Sequence, residues 1–295
     1  RMLKKVFPHF CQKESHNGRI NNIALKKGRG FFMSNIYSQN LERSPANYQP
    51  LTPLTFLERA ASVYPNRIAI IYGSQKYCYS DFYLRCRKLA SFLSKNGIGR
   101  GDTVSVMLAN TPSMLEAHYA VPMCGGVLHS INTRLDASAI AFQLDHAESS
   151  MFIVDTDFSS IVSETLAKMA GKPIILDYND KELEHSYPEI GICEYEEALQ
   201  SGDDEFDWLI PLDEWDAISV NYTSGTTGDP KGVVYHHRGA YLLAQGNIIT
   251  ASIKKHAVYL WTLPMFHCNG WCFPWSISVI GGIHICLREV RADSI

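Results

Sequence analysis

From about residue 54 onward, short apolar runs alternate with stretches in which apolar and polar residues share a helical spacing. Residues 54–64 read as a short amphipathic helix, with Thr52 or Thr55 available as cap and Pro65 as stop. The runs 67–72 and 76–79 flank Gly73-Ser74-Gln75 and predict a hairpin. Ser80 then caps a helix expected over 81–97. Beyond it, strands at 103–108, 127–131, 151–155 and 173–176 are separated by helices at 112–125, 136–147 and 158–170. Pro112 stands at the first helical position of one of these helices. This alternation predicts an α/β fold of largely parallel sheets covered by helices.

Residues 177–216 break the rhythm. They are acidic, rich in turn residues and hold one short predicted helix, 195–200, so they read as a solvated surface linker between two lobes. A strong apolar strand, 217–222, follows. The expected organisation is a leader over 1–43, a first lobe over 44–176, the linker over 177–216 and the start of a second lobe over 217–295.

Residues 256–287 contain no Asp, Glu, Lys or Arg, a run of 32 residues that is long enough to span a bilayer. Pro264, Pro274 and Gly281-Gly282 interrupt it, and His267, Asn269 and His284 lie inside it. A strand at 258–263, a helix at 270–280 and a strand at 283–287, covered on both faces, account for the missing charge without a membrane span. A lobe that stops there is expected to leave 283–287 as an unpaired, aggregation-prone sheet edge.

Composition narrows the picture. The chain is 46% apolar with a net charge of −3, which excludes extensive disorder and gives no global reason to expect nucleic acid as a partner. Eight cysteines, none in a Cys-x-x-Cys pair, point to reduced thiols rather than a disulfide scaffold. Residues 1–40 carry eight Lys or Arg against Glu14 alone. Such a basic, acid-poor leader reads as an organelle transit segment or as a disordered tail.

The densest chemistry follows the 217–222 strand: Tyr222-Thr223-Ser224-Gly225-Thr226-Thr227-Gly228-Asp229-Pro230-Lys231-Gly232. Glycines let backbone N–H groups converge on an oxyanion, hydroxyls add short hydrogen bonds, and the lysine adds charge. The segment differs from a P-loop, because Lys231 is followed by Gly232 and the chain enters a strand, 233–236, instead of a helix. An ordinary Ser/Thr/Gly hairpin loop is the plain alternative.

These residues resemble the signature phosphate loop of the adenylate-forming acyl-CoA synthetases. Leu263-Pro264-Met265-Phe266-His267-Cys268-Asn269-Gly270-Trp271 is similar to the Pro-x-Phe-His-x-x-Gly segment of that superfamily, and residues 50–61 resemble the opening of plant-type acyl-activating enzymes. The resemblance implies an ATP-dependent acid–thiol ligase that acts on a short- or medium-chain fatty acid or an aromatic acid, with Mg2+ and coenzyme A. By the same resemblance Thr223, Ser224, Gly225, Thr226, Thr227, Gly228 and Lys231 hold the ATP phosphates. His267 borders the carboxylate pocket, and Trp271, Phe273 and Trp275 line the acyl pocket. The implied partners are the acid, ATP and coenzyme A. The implied location is a peroxisome or, given the basic leader, a mitochondrion, with the cytoplasm otherwise.

Several expectations stay open beside that reading. Full-length members of the superfamily are almost twice as long, and their Tyr-Gly-x-Thr-Glu segment, ribose-binding aspartate and adenylation lysine have no counterpart in these residues. The chain therefore reads as the N-terminal lobes with the C-terminal domain missing. A non-catalytic nucleotide-binding fragment is the alternative function, and a luciferase-like or peptide-synthetase module is a third. For His267 the alternatives are a core histidine and, given Cys268 and Cys272, a metal ligand, although a second ligand pair is wanting. For the three aromatics the alternative is core packing. His236, His237 and Arg238 read as a strand end and helix start without chemistry.

Overall fold

The computed structural model describes residues 37, 39–184, 187–223 and 230–292. Residues 1–48 and 49–295 form separate compact units. In the first, Arg43 stacks on the Tyr48 ring at 4.4 Å, and Asn47 Oδ1 accepts from Ser44 N. Residues 1–36 and 38 of the predicted leader lie outside the described residues.

The second unit carries ten strands and nine α-helices among the described residues. In chain order these are α1 (Leu54–Val63), β1 (Ile68–Tyr72), β2 (Gln75–Cys78), α2 (Tyr79–Lys95), β3 (Thr103–Met107), α3 (Pro112–Met123), β4 (Val127–Ser130), α4 (Ala137–His146), β5 (Ser149–Asp155) and α5 (Ser159–Leu166). They continue with β6 (Ile174–Tyr178), α6 (Tyr195–Ser201), β7 (Ala217–Tyr222), β8 (Gly232–His236), α7 (His237–Thr250), β9 (Val258–Leu260), α8 (Cys268–Trp271), α9 (Phe273–Val279) and β10 (Ile283–Ile285). None of the described helices is long and apolar enough to cross a membrane.

Six strands form one sheet in the order β6-β5-β3-β4-β7-β8, parallel except for the final β7/β8 pair. Four form a second sheet, β2-β1-β10-β9, parallel except for β1/β2. The period-two alternation of each central strand supplies two cores. On β5, Met151 and Ile153 join the large core, which also takes in α2, α3 and β1. Phe152 and Val154 face a smaller core with Ile140 and Leu144 of α4 and Val162 of α5. Helix α3 is buried on every side, and its Glu116, fully enclosed, pairs with Arg85 at 2.5 Å and accepts from Tyr195 Oη at 2.7 Å.

The largely parallel, helix-covered α/β architecture is as expected, but the division into two lobes is not. The N-terminal hairpin β1/β2 joins the sheet of β9 and β10, and β7 pairs with β4. Sequence neighbours are thus interleaved between the sheets. Strand β10 lies between β1 and β9, so the expected unpaired edge at 283–287 is an internal strand. Nor are residues 177–216 merely a solvated linker. Asp177 is buried and accepts from Ile190 N and Gly191 N, Tyr195 is wholly buried, and Glu196 pairs with Arg85 at 2.7 Å. Acidic residues here serve as acceptors for backbone amides and distant arginines, a use that composition alone does not reveal.

Two boundaries also shift. Helix α2 begins at Tyr79 because Cys78, not Ser80, is its cap, with Asp81 Oδ2 accepting from Cys78 N. The helix predicted over 270–280 starts only at Phe273, which places Pro274 in the first turn, where its missing N–H costs nothing. In a helix running from 270 the proline would sit further in and crowd the preceding turn.

Candidate active site

The chemistry gathers at the carboxyl ends of the parallel strands. A cleft of about 620 Å³ is lined by Ala109 and Asn110 after β3, Thr133 and Arg134 after β4, and Asp157 and Phe158 after β5. Thr262, Pro264 and Phe266 after β9, with Leu287, Arg288, Glu289 and Val290 after β10, complete it. In the large sheet the chain order reverses between β5 and β3, since β5 leads outward to β6 and β3 leads the other way to β4. Ligands in open α/β sheets bind at such a switch point.

The phosphate-loop segment joins β7 to β8 as the sequence predicts, strand to strand. Thr223 N donates to Lys231 O at 3.0 Å and closes the loop at its base; both side chains are exposed. Ser224, Gly225, Thr226, Thr227 and Gly228 lie outside the described residues.

His267 is exposed, its ring Nε2 3.9 Å from Cys268 Sγ. The backbone beyond it is unusual. Cys268, Asn269, Gly270, Trp271 and Cys272 all have positive φ, between 51° and 62°, so α8 is a left-handed turn. Four of these residues are not glycine, and each such residue costs roughly 1–2 kcal/mol. Gly270 is required for a second reason: a Cβ there would stand 2.7 Å from Cζ3 of Trp261.

Three asparagines tie this segment to the large sheet. Asn110 Nδ2 donates to Trp261 O (3.1 Å) and Leu263 O (2.9 Å), and its Oδ1 accepts from Met265 N at 2.8 Å. Asn221, on β7, donates to Phe266 O at 3.2 Å, and Asn269 donates to Ser219 Oγ at 2.6 Å. On the cleft's far wall Arg288 pairs with Asp155 (2.6 Å), Asp180 (2.8 Å) and Asp157 (2.9 Å). Burial raises the Asp155 carboxyl pKa, and Arg288 opposes that rise.

The three aromatics assigned to the acyl pocket are not brought together. Trp275 is wholly buried and donates to His118 O, which is core packing. Phe273 stacks on Tyr259 at 4.8 Å, and Trp271 is 53% exposed. His236 caps α7 by accepting from Gly239 N, and His237 is buried against Thr52 Oγ1 with its pKa pushed down to about 4 by burial. Asn110, Arg134 and Arg288 escaped the sequence reading. Their only signal was a position just past a strand end.

The fold is an α/β architecture of two mixed sheets, with β7 and β8 joined strand to strand. The sequence profile of the AMP-binding enzymes matches residues 57–294, and the chain belongs to that family. It is 47% identical over 268 residues to an acetate/butyrate–CoA ligase of Arabidopsis thaliana, named as peroxisomal, covering 87% of this chain and 47% of that protein. It is 45% identical over 261 residues to a peroxisomal benzoate–CoA ligase of the same plant, covering 85% of this chain and 44% of that one. The chain thus spans about half the length of the curated relatives it matches. In fold it resembles an anthranilate–CoA ligase crystallised with anthranoyl-AMP, with a TM-score of 0.74 and 17% identity, over 84% of this chain and 47% of that chain. It also resembles the N-terminal domain of FACL13 from Mycobacterium tuberculosis, with a TM-score of 0.72 and 23% identity, over 83% of this chain and 59% of that chain.

Proposed function

We propose that this chain carries the nucleotide- and acid-binding portion of an AMP-forming acid–CoA ligase for a short- or medium-chain fatty acid or an aromatic acid. The observation that carries this reading is that β7, parallel to β4, ends next to Thr223 on the same edge of the sheet as the strand ends that line the cleft beside Pro264 and Phe266. In the first half-reaction a carboxylate oxygen of the acid bonds to the α-phosphorus of MgATP, and the bond from that phosphorus to pyrophosphate breaks. Charge accumulates on the departing pyrophosphate, and preorganised donors offset it. Thr223, Ser224, Gly225, Thr226, Thr227, Gly228 and Lys231 hold the β- and γ-phosphates, Lys231 by charge and the others by N–H and hydroxyl donors. His267 stands beside the acid's carboxylate. Phe266 and Pro264, rather than the buried Trp275, furnish the apolar wall. In the second half-reaction the coenzyme A thiolate attacks the acyl carbon and AMP departs. The two relatives named peroxisomal support a peroxisomal location.

Acid-dependent exchange of labelled pyrophosphate into ATP tests the reading, run with acetate, butyrate and benzoate beside calorimetric titration of MgATP. Exchange above the enzyme-free blank supports the ligase. Saturable MgATP binding without exchange supports a second reading, a nucleotide-binding polypeptide without turnover. Absence of both binding and exchange overturns the two together.

A further inference from the structure

The left-handed turn after His267 raises a physical question: what keeps it left-handed? Four non-glycine residues there sit in a region that L-amino acids avoid, and such strain persists only where surrounding contacts over-determine it. Asparagine tolerates this region best among them, and Asn269 occupies the second position of the turn. Its side chain is wholly buried, and its amide donates to Ser219 Oγ at 2.6 Å. Two residues along the same strand, Asn221 is also buried and donates to Phe266 O, one residue before His267. Among the described residues neither amide oxygen has a donor, so the N–H side holds each group in place. The strand that carries Ser219 and Asn221, β7, runs directly into Thr223. One strand therefore fixes the His267 turn relative to Thr223 at the end of β7.

We propose that Asn221 and Asn269 are positioning residues for His267, anchoring its turn to β7 so that the turn keeps one fixed spacing from the carboxyl end of that strand. The inference rests on the ligase reading only for what the site binds. Its geometric part stands on the hydrogen bonds alone. Asn269 fixes the turn from behind through Ser219, and Asn221 fixes the backbone entering it. Loss of either anchor lets the strained turn relax and displaces His267 while the sheet stays folded.

The test uses the 295-residue chain and the variants Asn269→Gly, Ser219→Ala and Asn221→Ala. Glycine keeps the left-handed backbone and removes only the anchor, so Asn269→Gly separates positioning from strain. Three readouts are compared: thermal unfolding, the rate of Cys268 alkylation by iodoacetamide followed on its own peptide, and calorimetric affinity for a butyryl-sulfamoyl adenosine. The expected result is a melting temperature within a few degrees of the parent for Asn269→Gly, with Cys268 alkylation several-fold faster. Affinity for the adenylate mimic falls roughly tenfold, the worth of about one hydrogen bond. Ser219→Ala reproduces these changes, and the Ser219→Ala/Asn269→Gly pair adds little beyond either single change. Folded variants with parental Cys268 rates overturn the proposal. If the parent chain binds no mimic, the ligase reading fails, and the Cys268 rates still decide whether the anchors position the turn.

Discussion

Asn110 and Met265 lie 155 residues apart, yet the Asn110 carbonyl accepts from the Met265 backbone amide at 2.8 Å while its Nδ2 reaches two carbonyls on the same segment. One buried amide thus meets three backbone groups that would otherwise lie unpaired between the sheets. Leaving such groups unpaired costs about 1–3 kcal/mol each. Asn110→Ala is therefore expected to lower unfolding free energy by roughly 2–4 kcal/mol, measured by urea titration. Asn110→Asp loses both donated bonds and should be no better. A loss below 1 kcal/mol for either variant contradicts the role.

How much of this was legible in the sequence can be judged from particular residues. Strands buried on both faces, such as β3 and β5, announced themselves as apolar runs. Thr223–Lys231 announced itself by composition. Asn110 and Arg288 did not, because a single polar residue after a strand has no local pattern; its partners lie in the other sheet. The interleaving of β1 with β10 escaped for the same reason, since pairing between residues some 200 positions apart leaves no mark on either strand. The left-handed turn went unread because Asn269 and Gly270 are the only local signs of it, and its other three residues are types that avoid that region.

Arg85 offers a test of the buried ion network. Glu116 is fully enclosed and holds Arg85 at 2.5 Å, and Arg85 also reaches Glu196 at 2.7 Å. Arg85→Met leaves the Glu116 charge buried with Tyr195 Oη as its neutral partner, an arrangement that costs about 3–5 kcal/mol. The double variant Arg85→Met/Glu116→Leu should recover much of that loss, because the buried charge is gone. Equal stability of the single and double variants would show that the network is not what matters.

Buried histidines make stability pH-dependent. Burial pushes the pKa values of His118 and His129 down to about 4 and that of His284 down to about 3. Unfolded histidine titrates near 6.5, so below that pH the unfolded chain binds more protons than the folded one. Stability is then full above about pH 6.5 and falls as the pH drops toward the folded values. Between pH 6.5 and 5 each histidine is expected to withdraw roughly 2 kcal/mol. Urea midpoints measured at pH 7.5, 6.5, 5.5 and 5.0 check this, and a flat profile over that range rules it out.

The strained turn yields the sharpest contrast. Trp271 has φ +55° and is 53% exposed, so its side chain is about half buried while its backbone carries left-handed strain. Its one anchored group is a backbone carbonyl, which accepts from Asn247 Nδ2 at 2.8 Å and survives any side-chain change. Glycine relieves roughly 1–2 kcal/mol of strain there, against about 0.5–1 kcal/mol of extra unfolded-state entropy. Relative to Trp271→Ala, which loses the same half-buried ring, Trp271→Gly is therefore expected to be equally stable or more stable by up to about 1 kcal/mol. Leu243→Gly is the control, comparably exposed but inside right-handed α7, and should be about 1 kcal/mol less stable than Leu243→Ala. At Gly270 the sign reverses: an alanine Cβ would press on Trp261, which is wholly buried, and Gly270→Ala should cost about 1–3 kcal/mol or more. Thermal unfolding of these variants side by side decides the matter. A loss from alanine to glycine at 271 as large as that at 243 would mean that the turn is not left-handed in solution.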